Sequence, residues 1–125
     1  MRRPLNEDYL RSSLFGFEDA LVSTTGMVVG ISAGIDDKSI ILLASLVTVA
    51  VEAISMGAGE FLSEEAVEEL EKEKVKRAKS FFGAVIMLFS YAIGGMIPVL
   101  PVVILPAGTA IIPTIVFAFA GLFIL

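Results

Sequence analysis

Apolar residues run almost without interruption from Leu14 to Ile35, from Ser39 to Leu62, from Phe81 to Leu100 and from Val102 to Leu125. Each run holds about 20 residues, the length a helix needs to cross roughly 30 Å of hydrocarbon. The runs lack the strict apolar–polar alternation of half-buried strands, and lipid admits only helices or closed barrels. The pattern predicts an all-α integral membrane protein of about four transmembrane helices, spans 14–35, 39–62, 81–100 and 102–125, forming one domain over residues 1–125. The polar segment SEEAVEELEKEKVKRAKS, residues 63–80, contains neither proline nor glycine. The second helix is therefore expected to continue into it as a charged helical extension, with Glu68 placed to pair with Lys72 one turn on. Pro98, Pro101, Pro106 and Pro113 are expected to mark a tight outer turn and a break in the fourth run.

Composition agrees with the pattern. The chain is 56% hydrophobic and 18% charged, with a mean hydropathy of +0.88, whereas soluble domains carry about 45–50% apolar and about 25% charged residues. Lysine and arginine placement sets orientation. Arg2, Arg3 and Arg11 precede the first span, and Lys72, Lys74, Lys76, Arg77 and Lys79 precede the third; Lys38 alone falls in the opposite loop. Both termini and the extension are thus expected on the cytosolic side. The start, MRRPLNEDYLRSS, is charged and lacks a small-residue cleavage site, so it reads as mature cytosolic sequence. The basic cluster adjoins an apolar span, where topology accounts for it, and no nucleic-acid partner is implied.

The chain has no cysteine and no histidine. Disulfides, thiolate sites and the commonest general base and transition-metal ligand are therefore excluded. A nucleophile–base pair, a phosphate loop and the Glu-x-x-His pairs of di-iron oxidases are likewise missing, which argues against an enzyme and against a resident cofactor.

The chemistry that remains is acidic. A charge at the bilayer centre costs about 2.5–3.5 kcal/mol on insertion scales, yet Glu18, Asp19, Glu52 and Glu60 all occur within apolar runs. Glu52 is expected roughly 15 Å from the cytosolic end of the second span, and Glu18 and Asp19 roughly 6–8 Å into the first. Glu52, Met56 and Glu60 share a helix face, since four-residue steps drift little. If that face meets the start of the first span, up to four carboxylates and a thioether build a pocket open to the cytosol. A mixed oxygen and sulfur set suits a first-row transition ion such as Fe²⁺ over Mg²⁺. Plainer roles exist for each residue: Glu60 snorkelling to the interface, Met56 as packing filler, Glu18 as a solvated end residue. Glu52 is harder to explain that way, because the spans hold no lysine or arginine to pair with it. In the extension, Glu64, Glu65, Glu68 and Glu69 either form a solvated connector or gather cations. Gly26, Gly30 and Gly34, with Ala53/Gly57 and Ser55/Gly59, form small-residue faces that permit close helix contact within the chain or between copies.

Three stretches resemble the vacuolar iron transporter family. FGFEDALVSTTGMVVGISAG resembles its first helix, VEAISMGAGEFLS its second, with the Ser-Met-Gly-Xaa-Gly-Glu string, and YAIGGMIPVLPVVI the end of its third. The resemblance implies a dimeric five-helix membrane protein that carries Fe²⁺, and sometimes Mn²⁺, out of the cytosol in exchange for protons. It also implies that Asp19, Met56 and Glu60 line the ion path, with Co²⁺ and Zn²⁺ as further candidate substrates. Departures are Ala20 where the family has glycine, Glu52 where it has a small residue, a glutamate-rich insert reduced to residues 63–80, and no fifth helix. A compact or truncated member is therefore expected. The route so implied gathers Fe²⁺ at Glu64, Glu65, Glu68 and Glu69, binds it among Asp19, Met56 and Glu60, and passes it to Glu52. With no organelle-targeting segment visible, a prokaryotic plasma membrane is the expected location. The competing class is a membrane adaptor or oligomeric scaffold whose acids contact partners.

Overall fold

The computed structural model describes residues 5–71, 77–106 and 108–124. They form four helices, α1 (Leu5–Gly34), α2 (Lys38–Glu71), α3 (Arg77–Ile104) and α4 (Ile111–Ile124). The all-helical membrane class is the one the apolar runs predict. Three helices are long and apolar enough to cross a membrane; α4, at 14 residues, is apolar but shorter.

Local chemistry explains the ends. Asp37 caps α2, its Oδ1 accepting from the backbone N–H of Ser39 at 2.9 Å and of Ile40 at 3.4 Å. One orphan turn is thereby satisfied, and α1 and α2 are joined by only Ile35, Asp36 and Asp37. The 34 residues of α2 span about 50 Å, so the helix outruns the hydrocarbon and carries Glu64 to Glu71 as an unbroken extension. Residues 72–76, and with them the expected Lys72 partner of Glu68, lie outside the described residues.

The outer turn differs from expectation. Pro98 and Pro101 lie inside α3, and the chain reverses later, between Leu105 and Ala110, so residues 102–104 belong to α3 rather than to a fourth span. The physical reason is that lipid offers no water to a broken backbone, so a helix carries its prolines on rather than exposing a turn at that depth. Both prolines are fully buried, and Thr114 of α4 donates its hydroxyl to the Pro98 carbonyl at 3.2 Å. The turn itself uses Gly108 at φ 88°, a left-handed conformation open to glycine, while Thr109 donates both N–H and hydroxyl to the Pro106 carbonyl.

α3 packs against all three other helices. Toward the α3–α4 turn the core is Val28, Ile41, Val102 and Ala110; toward the end that carries the α2 extension it is Ala20, Ala53 and Tyr91, with Met56, Leu88 and Ala92 against them. Glycines set the approach. A Cβ at Gly57 would lie 3.0 Å from the Ala84 carbonyl oxygen, and one at Gly94 would lie 2.8 Å from that of Phe17. Gly26, Gly30, Gly34 and Gly59, by contrast, face open space. Of the small-residue faces, the Ala53/Gly57 pair therefore packs within the chain and the α1 glycine stripe does not. Large apolar side chains such as Leu43, Ile54, Phe89 and Ile93 stand exposed on the outer surface, as a lipid-facing exterior requires.

Gly94→Ala places a methyl against backbone that cannot rotate away, so α1 and α3 must separate. The expected loss is about 1–3 kcal/mol, read as a lower unfolding temperature in detergent, whereas Gly26→Ala leaves the fold of a single copy intact.

Candidate functional site

The α2 face carrying Glu52, Met56, Glu60 and Glu64 turns toward α1 and α3, and these helices present a polar group at nearly every level. At the end of the bundle that carries the α2 extension, Lys79 of α3 pairs with Asp8 of α1 at 3.0 Å. Glu64 is half-buried beside them, with Lys79, Glu60, Asp8 and Arg11 as its charged neighbours. Glu65 is half-buried too, and its Oε1 is enclosed without a hydrogen-bond partner. Glu69 is exposed, and the Glu68 side chain lies outside the described residues. The Ser80 hydroxyl is fully buried and also without a partner.

One level deeper, Ser12 of α1 donates its hydroxyl to Glu60 Oε1 at 2.5 Å. Gly83 of α3 keeps this space open: a Cβ there would stand 3.7 Å from the same oxygen. Deeper again, Met56 is half-buried against the cluster of Ala20, Ala53 and Tyr91. Asp19, adjacent to Ala20 on α1, is half-buried, and Glu18 is exposed.

Glu52 occupies the deepest level. The Tyr91 hydroxyl of α3 donates to Glu52 Oε2 and lies 2.6 Å from Ser23 Oγ of α1. Ser23 Oγ is itself 3.4 Å from Glu52 Oε2. Tyr91 is fully buried, so one phenol ties three helices together through a carboxyl group.

The arrangement is a ladder, not the single pocket expected from the sequence. Glu52 and Glu60 are two turns apart, roughly 12 Å along the axis, and each has its own hydroxyl donor. Among the described residues, no three Asp or Glu side chains of one copy gather at metal-holding distance. The reason is register: the α1 residues that meet the α2 acids are Ser12 and Ser23, which bring oxygens without charge.

Ser12, Ser23, Tyr91 and the Asp8–Lys79 pair were not singled out by sequence reasoning. A signal existed for Tyr91, the one tyrosine within the apolar runs, because a phenol in lipid must find a hydrogen-bond partner. The search for a base to neutralise Glu52 overlooked neutral donors.

The electrostatics follow from the sequence of cations along the chain. No lysine or arginine occurs from Ser12 to Asp37, from Ser39 to Glu71, or from Ser80 onward. The described positive charges near the ladder, Arg11 and Lys79, stand at the end that carries the α2 extension. Below them the acids have donors but no counter-charge, and the Met56 sulfur lies between Glu52 and Glu60 in the order of levels.

Comparison with known proteins sharpens this picture. Residues 10–83 match the VIT family. The chain is 28% identical over 108 residues to the vacuolar iron transporter homolog 2 of Oryza sativa subsp. japonica, covering 74% of this chain and 57% of that protein. It is 36% identical over 69 residues to the vacuolar iron transporter homolog 4 of Arabidopsis thaliana, covering 55% and 35%, and 30% identical over 105 residues to homolog 3 of the same plant, covering 74% and 52%. The chain thus spans little more than half the length of these relatives at most. No solved structure shows a significant match. The relatives are plant proteins named for the vacuole, which does not fit the expected prokaryotic plasma membrane; a membrane location stands.

Proposed function

The chain belongs to the VIT family, the vacuolar iron transporter family that its helix motifs resemble, and from that premise we propose that it moves a divalent transition-metal ion, Fe²⁺ above all, out of the cytosol across a membrane. The observation that carries this reading is the α2 ladder: Glu64, Glu60, Met56 and Glu52 at successive depths, with hydroxyl partners for two of the acids and no lysine or arginine below the cytosolic end. A carboxylate in low dielectric is stabilised strongly by a cation, and a mobile one can be passed from level to level.

In this reading Glu64, Glu65 and Glu69, with Glu68, raise the local cation concentration at the mouth. The ion sheds water and meets Glu60, Met56 and, from α1, Asp19; Glu18, being exposed, acts at the rim. Glu52 receives it at the deepest level. Sulfur from Met56 favours Fe²⁺, Co²⁺ or Zn²⁺ over Mg²⁺, while the carboxylates also suit Mn²⁺. A proton and a cation compete for the same carboxylate oxygens, so loading one expels the other. Proton antiport is that competition coupled to two sides of a membrane. Transport requires no resident cofactor and no bond-making chemistry. The cation asymmetry of the loops supports both termini on the cytosolic side, and the names of the plant relatives support the vacuole as a receiving compartment.

The working form is a homodimer. Gly26, Gly30 and Gly34 leave a smooth stripe on α1 that its own chain does not cover, and small-residue stripes in lipid pack against another helix. The chain has no cysteine, so Gly30→Cys introduces a single reporter. Copper-catalysed oxidation in liposomes is expected to give a disulfide-linked dimer, while Ile54→Cys, on a lipid-facing side of α2, gives none.

A second reading draws support from the hydroxyl partners themselves. If the Ser12–Glu60 and Tyr91–Glu52 bonds serve only to glue helices, the chain is a membrane scaffold. The two readings part on metal dependence, because a ligand that binds the folded state raises its stability by mass action. Purified protein in detergent is expected to unfold at a higher temperature with Fe²⁺, Mn²⁺ or Co²⁺ than with Ca²⁺ or Mg²⁺; identical curves would favour the scaffold.

Flux is the direct test. In proteoliposomes with an enclosed iron-sensitive dye, Glu60→Gln, Met56→Ala and Asp19→Asn are each expected to cut Fe²⁺ uptake roughly tenfold or more, the loss of one charged or soft ligand. Uptake unaltered by all three would reject the ladder as the route.

A further inference from the structure

The tyrosine that reaches Glu52 has a consequence for which ions the ladder accepts. A phenol carries one hydrogen. With that hydrogen donated to Glu52 Oε2, the Tyr91 oxygen is an acceptor, and Ser23 Oγ at 2.6 Å is its donor. The alternative Ser23 contact to Glu52, at 3.4 Å, is longer than an O–H···O bond prefers. The hydrogens therefore run in one direction, from Ser23 to Tyr91 to Glu52, across α1, α3 and α2 in turn.

This donor does not move aside. Tyr91 is 0% exposed, and its neighbours Ala20, Ala53, Met56, Leu88 and Ala92 fill the space around it. Glu52 Oε2 is thus committed to a fixed partner, while Oε1 accepts no hydrogen bond from the described residues. We infer that Tyr91 is a selectivity-determining positioning residue: by donating to Oε2 it occupies one lone pair of that oxygen and fixes the carboxylate plane, which biases Glu52 toward coordination through Oε1 and so against Ca²⁺. This rests on the transport reading above and deepens it.

The chemistry is that of coordination number. Ca²⁺ takes six to eight oxygen ligands and commonly binds a carboxylate through both oxygens. A glutamate held in this way presents one unencumbered oxygen, and Met56, packed against the cluster of Ala20, Ala53 and Tyr91, adds a thioether, a ligand that suits softer ions. Fe²⁺ accepts one carboxylate oxygen with a sulfur nearby, and Mn²⁺, though harder, is six-coordinate and accepts a single carboxylate oxygen; Ca²⁺ loses on both counts. Removing the phenolic oxygen alone releases Oε2 without emptying the space the ring fills.

The experiment uses the full chain in proteoliposomes, with Mn²⁺ and Ca²⁺ uptake measured separately and in competition. The parent is expected to take up Mn²⁺ and exclude Ca²⁺. In Tyr91→Phe, Ca²⁺ uptake is expected to appear and the Mn²⁺-to-Ca²⁺ ratio to fall roughly tenfold, the weight of one hydrogen bond to a charged group. Ser23→Ala, which removes the donor behind the phenol, shifts the same ratio in the same direction by less. Were Tyr91 merely structural, Tyr91→Phe would lower both fluxes together and leave the ratio intact; that outcome overturns the selectivity role while the transport reading stands. A parent chain carrying neither Mn²⁺ nor Fe²⁺ overturns both. Should Tyr91→Phe fail to assemble, the Ser23→Ala ratio decides, and a ratio equal to the parent's rejects the inference.

Discussion

Taking a carboxylate from water into hydrocarbon strips away a hydration shell that donated hydrogen bonds and screened a charge. Hydroxyls of neighbouring helices replace the first part of that loss and not the second. Ser12 serves Glu60 and Tyr91 serves Glu52, so each acid is oriented and partly satisfied, yet neither meets a resident cation among the described residues. The contrast with the mouth is informative. There Asp8 has Lys79 at 3.0 Å, and the pair closes on itself as a structural contact. The ladder below has the same acids without the lysine. A group that is held in place but not neutralised is suited to a charge that arrives and leaves, and the proposed route depends on that difference.

α3 makes the ladder geometrically possible. In lipid, helices gain little from excluding apolar surface and associate through close packing and polar contacts. Gly57 admits the α3 backbone at Ala84, and Gly94 admits the α1 backbone at Phe17. This closeness brings the Tyr91 oxygen within reach of both Ser23 and Glu52. A bulkier residue at Gly94 forces α1 and α3 apart, and one at Gly57 makes the α3 backbone give by a few tenths of an ångström. The packing of Gly94 and the polar chain of Tyr91 are therefore one feature seen at two levels, since the glycine sets the distance that the tyrosine spans.

Much of this was legible in the sequence, because periodicity within one helix is a local property. Run lengths predicted the helices, the lack of proline or glycine after Leu62 predicted the continuation of α2, and the four-residue spacing of Glu52, Met56 and Glu60 placed them on one face. The failures share a cause. Ser12 and Glu60 are 48 residues apart, and Tyr91 and Glu52 are 39 apart; such pairs depend on the register between helices, which spacing along either one does not encode. The expected four-carboxylate pocket assumed that α1 would offer Glu18 and Asp19 to α2, and register offers serines. Pro98 and Pro101 misled for another reason. Their local preference is to end a helix, but in lipid a helix that stops leaves more backbone unpaired than one that carries its prolines, and both prolines are buried in the bundle.

The position of Asp19 links the ladder to the second copy. It adjoins Ala20, which is buried against Tyr91, so Asp19 itself sits at the margin of the α1–α3 contact and is only half-buried. Glu18 on one side and Val22 and Gly26 further along are exposed. An acid at that margin is covered on one flank by its own chain, and among the described residues a single copy provides no three carboxylates in reach of one another. In the proposed dimer, the glycine stripe brings a second α1 against the first, and the half-covered aspartate then has its open flank beside protein rather than lipid. Two copies can in this way supply a set of ligands that one copy separates by turns of helix, which is why the ladder and the dimer belong to one account.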